Sequence, residues 1–105
     1  MRESKIEKAV CDYAKTWGWV NFKFSSPGQR AVPDRIFMKD GFTFFIEFKA
    51  TGKTLTKLQE RMATKFNLNG FAVHEIDNIE YGIRLIDYYI SNPRGKYHAK
   101  KIQPT

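Results

Sequence analysis

Apolar side chains recur along the first part of the chain at two different periods. Ile6, Val10, Tyr13, Ala14 and Trp17 fall at three- and four-residue steps, which predicts an amphipathic helix that Gly18 stops. Over residues 19–24 the period drops to two. Val20, Phe22 and Phe24 alternate with Trp19, Asn21 and Lys23, the pattern of a half-buried strand. Ser25-Ser26-Pro27-Gly28-Gln29-Arg30 is a loop by composition. Two β-rich runs follow, 32–39 and 42–49, separated by Asp40-Gly41. Both residues tolerate the positive φ of a type I′ turn, so the pair predicts a tight hairpin. A second helix is expected from about Thr56, with Leu58, Met62 and Phe66 inward and Gly70 closing it. Residues 71–76 read as a fourth strand. Ile79, Ile83, Ile86 and Ile90 then mark a third helix that ends at Asn92-Pro93. The order αβββαβα predicts an α/β fold, a mixed β-sheet flanked by helices. It occupies residues 1–92 without repeat or linker, and residues 93–105 form a tail.

Composition bounds what such a domain can be. The chain has 105 residues, 42% hydrophobic and 28% charged, which is one domain's worth of soluble protein. No apolar run approaches the ~20 residues of a membrane span, and the charged start argues against a signal peptide. The single cysteine, Cys11, excludes an internal disulfide. With only His74 and His98 beside it, a zinc site is not expected. The expected location is cytoplasmic, with no membrane partner and no small-molecule cofactor. The net charge is +7, which points to a polyanionic partner, most often nucleic acid. Arg94, Lys96, Lys100 and Lys101 crowd the tail with no acid among them, so the tail is a candidate DNA arm.

The hairpin holds the specific signal. If Asp40 and Gly41 are the central turn residues, Lys39 faces Phe42 and Asp34 falls opposite Glu47. Directly opposed side chains share a sheet face with Cβ atoms about 4.5–5.5 Å apart, and two carboxylates there repel unless a proton or cation lies between them. A hard divalent ion, commonly Mg²⁺ at phosphate chemistry, suits such a pair. Glu47 and Lys49 lie two residues apart and so share that face, while Phe48 points into the core with Ile46 and Phe44. A metal that lowers the pKa of bound water, beside an ammonium group that stabilises negative charge, suits phosphodiester hydrolysis. The plainer reading of the same residues is a solvated face with a cross-strand ion pair.

Val32-Pro33-Asp34, followed across the hairpin by Ile46-Glu47-Phe48-Lys49, resembles the PD-(D/E)xK nuclease signature. Its flanks narrow the likeness. Ile6-Glu7-Lys8, Lys23-Phe24-Ser25-Ser26-Pro27-Gly28 and Leu58-Gln59 resemble the VRR-Nuc (virus-type replication-repair nuclease) family, its stand-alone phage and bacterial members above all. The likeness runs from Glu3 to Ile76 and implies a restriction-endonuclease-like core in a bacterial or phage-infected cell. It further implies that Asp34 and Glu47 ligate Mg²⁺, for which Mn²⁺ can substitute, with the Phe48 carbonyl as a third ligand. Lys49 would be the catalytic lysine, Glu7 would hold the metal or its water shell, and Gln59 would stand near the site. Ala31 occupies a position where the family usually has glycine, a departure that removes no ligand.

The activity implied is a structure-selective DNA endonuclease that leaves 5′-phosphate and 3′-hydroxyl ends. Four-way (Holliday) or other branched junctions are the expected substrates, since a domain this small shows no recognition helix for reading bases. Symmetric cutting needs two sites and hence a homodimer, for which Tyr13, Trp17, Tyr88 and Tyr89 could supply the interface. Lys23, Ser25, Ser26, Arg30, Lys53, Lys57, Lys96, Lys100 and Lys101 are candidate nucleic-acid contacts, and Lys57, Arg61 and Lys65 form a basic helix stripe. Each has a structural alternative. Glu7 could be surface charge, Gln59 lies three residues after Thr56 as in a capping box, and His74 reads as structural. The rival functions are a non-catalytic nucleic-acid-binding module of the same fold and an assembly partner in which Asp34 and Glu47 clip an ion.

Overall fold

Asp40 and Gly41 both adopt positive φ, 51° and 82°, and join β2 (Arg35–Lys39) to β3 (Phe42–Phe48) by the expected two-residue turn. The computed structural model describes residues 1–92, so the arm carrying Lys96, Lys100 and Lys101 lies outside the described residues. The hairpin register follows from the turn: Lys39 pairs with Phe42, and the ladder runs back to Arg35 opposite Ile46. β1 (Val20–Lys23) pairs antiparallel along the outer edge of β2, and β4 (Val73–Ile76) pairs parallel with β3. The sheet order is β1-β2-β3-β4. A parallel neighbour requires a crossover rather than a hairpin, and α2 (Lys57–Leu68) supplies it.

Helices cover both faces, as the element order predicts. On one side lie α1 (Glu3–Thr16) and α3 (Ile79–Ser91). Ile6, Val10 and Ala14 recur every fourth residue and are wholly buried there. Phe37 and Phe44, directly paired across the hairpin, stack on this face with centroids 4.9 Å apart. Tyr89 of α3 stacks on Phe44 in turn at 4.3 Å. Phe45 alternates to the other face, where Phe66 of α2 meets it edge-on at 4.9 Å. Among the described residues no helix is long and apolar enough to cross a membrane.

Four expectations need correction, the first being Leu58, expected inward on α2 but 39% exposed there. The strand expected over 32–39 starts only at Arg35, because Pro33 cannot donate to a ladder and Ala31 sits in the left-handed region at φ 70°. Strand β1 alternates, but with the faces opposite to an apolar-inward pattern. Asn21 is buried while Val20 and Phe22 are half exposed. Helix α1 packs on the Asn21 side, where the amide donates to the Cys11 carbonyl (3.3 Å) and accepts from Arg35 (3.2 Å), so its burial leaves no polar atom stranded. Finally, Tyr89 is 1% exposed and belongs to the core, not to an interface. Trp17, Val20 and Phe22 are the large apolar side chains left on the outside of that end of the sheet.

Helices α1 and α3 approach closely at Gly82, where a Cβ would collide with the Val10 side chain. Gly82→Ala is expected to destabilise the domain by about 1–3 kcal/mol through overpacking, despite alanine's better helix propensity. Thermal unfolding should show Tm falling by roughly 4–8 °C per kcal/mol for a domain of this size. Ala31→Gly should do the reverse. Relief of a left-handed L-residue, worth roughly 1–2 kcal/mol, outweighs the extra backbone entropy of glycine at about 0.5–1 kcal/mol. A urea midpoint that falls in Ala31→Gly would contradict this.

Candidate active site

Pro33 shapes the site by what it cannot do. In β3, alternate residues turn their backbone groups toward β2, and Phe48 is one of them, since Lys49 donates to Ile76 of the β4 side at 2.9 Å. The hairpin register places Pro33 opposite Phe48, one step past Asp34. The ladder stops there, and Asp34 Oδ2 instead accepts the Phe48 N–H at 2.8 Å. The Asp34 carbonyl accepts from Phe24 N–H at 2.8 Å, so the residue is fixed from both sides at the mouth of the sheet. The Phe48 carbonyl leaves the strand on the same side as its N–H, toward Asp34.

Glu47 occupies the next position on the α2 face and is buried. Its Oε2 accepts from Gln59 Nε2 at 2.9 Å. Gln59 serves the helix as well. Its Oε1 accepts the Thr56 N–H (2.9 Å) while its own N–H donates to Thr56 Oγ1 (3.2 Å), a reciprocal capping box. The structural and the site role of Gln59 are therefore not alternatives. The cap uses the acceptor end of the amide and so aims the donor end at Glu47.

Burial and charge set the protonation of the acids. Burial, then the charge of Asp34, pushes the Glu47 carboxyl up to about 8, with Lys49 opposing. Asp34 is raised chiefly by burial, against which the Phe48 N–H works. Lys49 acts on Asp34, Glu47 and Glu3 through its charge, yet makes no salt bridge among the described residues. Its ammonium therefore stands beside the acids without being consumed by either.

The first helix divides its acids in a way the spacing did not reveal. Glu7 is buried and bound by Arg35 Nε at 2.8 Å and by Lys23 Nζ at 3.1 Å, so both of its neighbours are cations of the sheet. Its charge still reaches Asp34. Glu3, one turn earlier, is the helix acid that acts on Glu47, and burial followed by Asp34 raises its own carboxyl. A four-residue step on a helix returns to the same face, and that periodicity was the signal that could have raised Glu3 beside Glu7. Among the described residues no three of His, Cys, Asp and Glu converge as a ready-made metal cage. A two-carboxylate set that leaves other positions to water and phosphate oxygens is nonetheless the kind Mg²⁺ takes, so the donors present fit that ion.

The other candidates lie outside this cluster. Lys23 is held by Glu7. Ser25 is exposed and Ser26 half-buried, and neither makes a side-chain hydrogen bond among the described residues. Arg30 is exposed and lines a groove of about 250 Å³ with Leu58, Arg61 and Lys65 of α2. Lys53 and Lys57 are exposed around the start of α2. His74 Nε2 lies 2.7 Å from the Tyr89 hydroxyl within the aromatic core, in keeping with a structural role.

No family model matches the chain. A search of characterised sequences finds "Putative nuclease p44" of Acyrthosiphon pisum secondary endosymbiont phage 1, 35% identical over 79 residues that make up 74% of this chain and 85% of that protein. Among solved structures, a VRR_NUC domain superposes with a TM-score of 0.76 at 22% identity, covering 83% of this chain and 96% of the other. Sequence likeness to the phage protein and the common fold place this chain in the VRR-Nuc family of nucleases.

Proposed function

We propose that the protein is a Mg²⁺-dependent endonuclease, served also by Mn²⁺, that hydrolyses phosphodiester bonds in DNA at four-way or other branched junctions. The observation that carries this reading is the Asp34–Glu47 carboxyl pair with an ammonium group, Lys49, beside it and bound to neither. A merely structural cross-strand ion pair would have closed Lys49 onto one of the acids. A binding module gains nothing from two acids, one half-buried and one buried, facing a polyanion.

Each residue has a part in this reading. Asp34, Glu47 and the Phe48 carbonyl would hold the ion, and Glu3 or Glu7 would reach its water shell. Bound there, Mg²⁺ neutralises charge on the phosphate and makes water more acidic. Lys49 Nζ stabilises negative charge growing on the non-bridging oxygens, or orients the attacking water. That water attacks phosphorus, the P–O3′ bond breaks, and the proton lost by water goes with the leaving oxygen to give 5′-phosphate and 3′-hydroxyl ends. The Phe48 N–H keeps Asp34 from turning away, and Gln59 does the same for Glu47. Paired cuts in a junction require two such sites, hence a two-fold homodimer, for which Trp17, Val20 and Phe22 offer exposed apolar surface.

Incubation with four-way-junction, flap, single-stranded and linear duplex DNA tests the proposal. Nicking is expected with Mg²⁺ or Mn²⁺ and not with EDTA, fastest on the junction, and slower by at least about a hundredfold in Glu47→Ala and Lys49→Ala. Absence of metal-dependent nicking on every substrate would sink the nuclease reading, while equal rates on duplex and junction would remove the selectivity. Sedimentation with and without junction DNA reads the dimer.

Gln59→Glu separates the two duties of that residue. Glutamate at the third helical position preserves the capping box but cannot donate to Glu47. Activity should fall by roughly 10–100-fold with little change in Tm, whereas Gln59→Ala should also lose about 1 kcal/mol of stability. Full activity in Gln59→Glu would show that the bond to Glu47 is idle.

A further inference from the structure

A polar cleft of about 430 Å³ lies between α1 and the β1–β2 half of the sheet, on the face away from Gln59. Lys8, Lys15, Lys23 and Arg35 line it, against Glu7 and Asp12. The two acids do not cancel the four cations in kind. Glu7 is buried and already shared between Arg35 and Lys23. Asp12 and Lys8 form an exposed i,i+4 pair, of a kind worth only about 0.3–0.5 kcal/mol and readily exchanged for a stronger anion. Lys15 makes no ion pair among the described residues.

Arg35 is the prepared element. Its Nε donates to Glu7 at 2.8 Å and its Nη1 to Asn21 at 3.2 Å, so the guanidinium plane is locked from behind. The remaining N–H groups have no hydrogen-bond partner among the described residues, and the side chain lines the cleft at 23% exposed. A fixed guanidinium fork backed by mobile ammonium groups matches a phosphodiester better than a carboxylate-rich or apolar ligand. Glu7 thereby has a use that does not depend on a metal: it orients Arg35 and Lys23.

We propose that this cleft is a subsite for DNA backbone phosphates that flank the scissile one. The inference rests on the nuclease reading for the word scissile, not for the cleft. Arg35 is paired with Ile46, the neighbour of Glu47, and so lies on the opposite sheet face from that carboxylate. A phosphate on Arg35 is therefore not the one cut. From Glu7 to Lys15 the helix rises about 12 Å, the axial span of roughly three nucleotides of one strand at 3.4 Å each. The cleft reads no bases. It sets the path of a strand past the end of the sheet.

Equilibrium binding in EDTA, where no cleavage intrudes, tests this on single-stranded and duplex oligonucleotides across a salt series. The double variant Lys8→Gln/Lys15→Gln, both exposed helix positions, is expected to weaken binding about tenfold or more. It should also reduce the slope of log Kd against log salt by roughly 0.7–0.9 for each phosphate no longer neutralised. Arg35→Lys keeps the charge without the fork and should weaken binding while largely preserving the slope. If Arg35→Lys fails to fold, the double variant alone decides. Unchanged Kd and slope in the double variant would overturn the subsite even if the wild type cuts DNA normally. Weakened binding in a protein that never cuts would retain the cleft and discard the nuclease reading. Titration with inorganic phosphate separates a strand from a free anion. Phosphate binding tighter than DNA, and abolished in the double variant, would reassign the cleft to a small ligand and overturn the proposal.

Discussion

The whole site hangs on one missing ladder bond. Because Pro33 has no N–H to give to the Phe48 carbonyl, the ladder ends at Arg35, β2 begins later in the sequence than its apolar pattern allows, and the Phe48 N–H finds its acceptor in a side chain instead of in the strand. Asp34 supplies it, a carboxylate oxygen at 2.8 Å. A buried backbone donor must be satisfied, so this bond cannot be given up cheaply, and it holds an acid within the field of Glu47. What would be a frayed hairpin end in another protein is here the wall of the candidate site.

Around that bond the electrostatics are arranged in two tiers. On the α2 face, the acids Asp34 and Glu47 repel one another and are pushed toward the neutral form, Glu47 to about 8. On the α1 face, Glu7 is matched by Arg35 and Lys23. The first tier lacks a positive partner in direct contact and the second is fully paired. That contrast separates an acid pair with no cation in contact from an acid that already holds its own. Lys49 stands between these regimes, near enough to act on three acids through its charge and bound to none of them.

Much of this was legible in the residues. The Asp40-Gly41 turn fixed the register, and the register alone brought Asp34 level with Glu47, because side-chain period in a strand is two and a hairpin leaves no freedom to slip. Helix α2 announced its start through Thr56 and Gln59. What periodicity could not supply was which side of an edge strand faces the core. Asn21 is buried because the Cys11 carbonyl and Arg35 happen to satisfy its amide, a tertiary fact that no hydrophobic scale contains. For the same reason Glu7 and Glu3, indistinguishable as acids one turn apart, separate only when β1 and β2 deliver Lys23 and Arg35 to one of them. Ala31 shows the converse. Its left-handed φ gives a physical reason for the glycine that the family usually places there.

The capping box couples the order of the site to the fraying of a helix. The amide that closes the first turn of α2 is the amide that steadies Glu47, so opening of that turn releases both. Helix termini open at a small fraction of the global unfolding free energy. Each such opening of this 12-residue helix frees the Glu47 carboxylate to swing, while the sheet and the α1–α3 layer stay intact. The order of the Glu47 carboxylate is thus tied to the Thr56–Gln59 cap at the start of α2 and not only to the aromatic core.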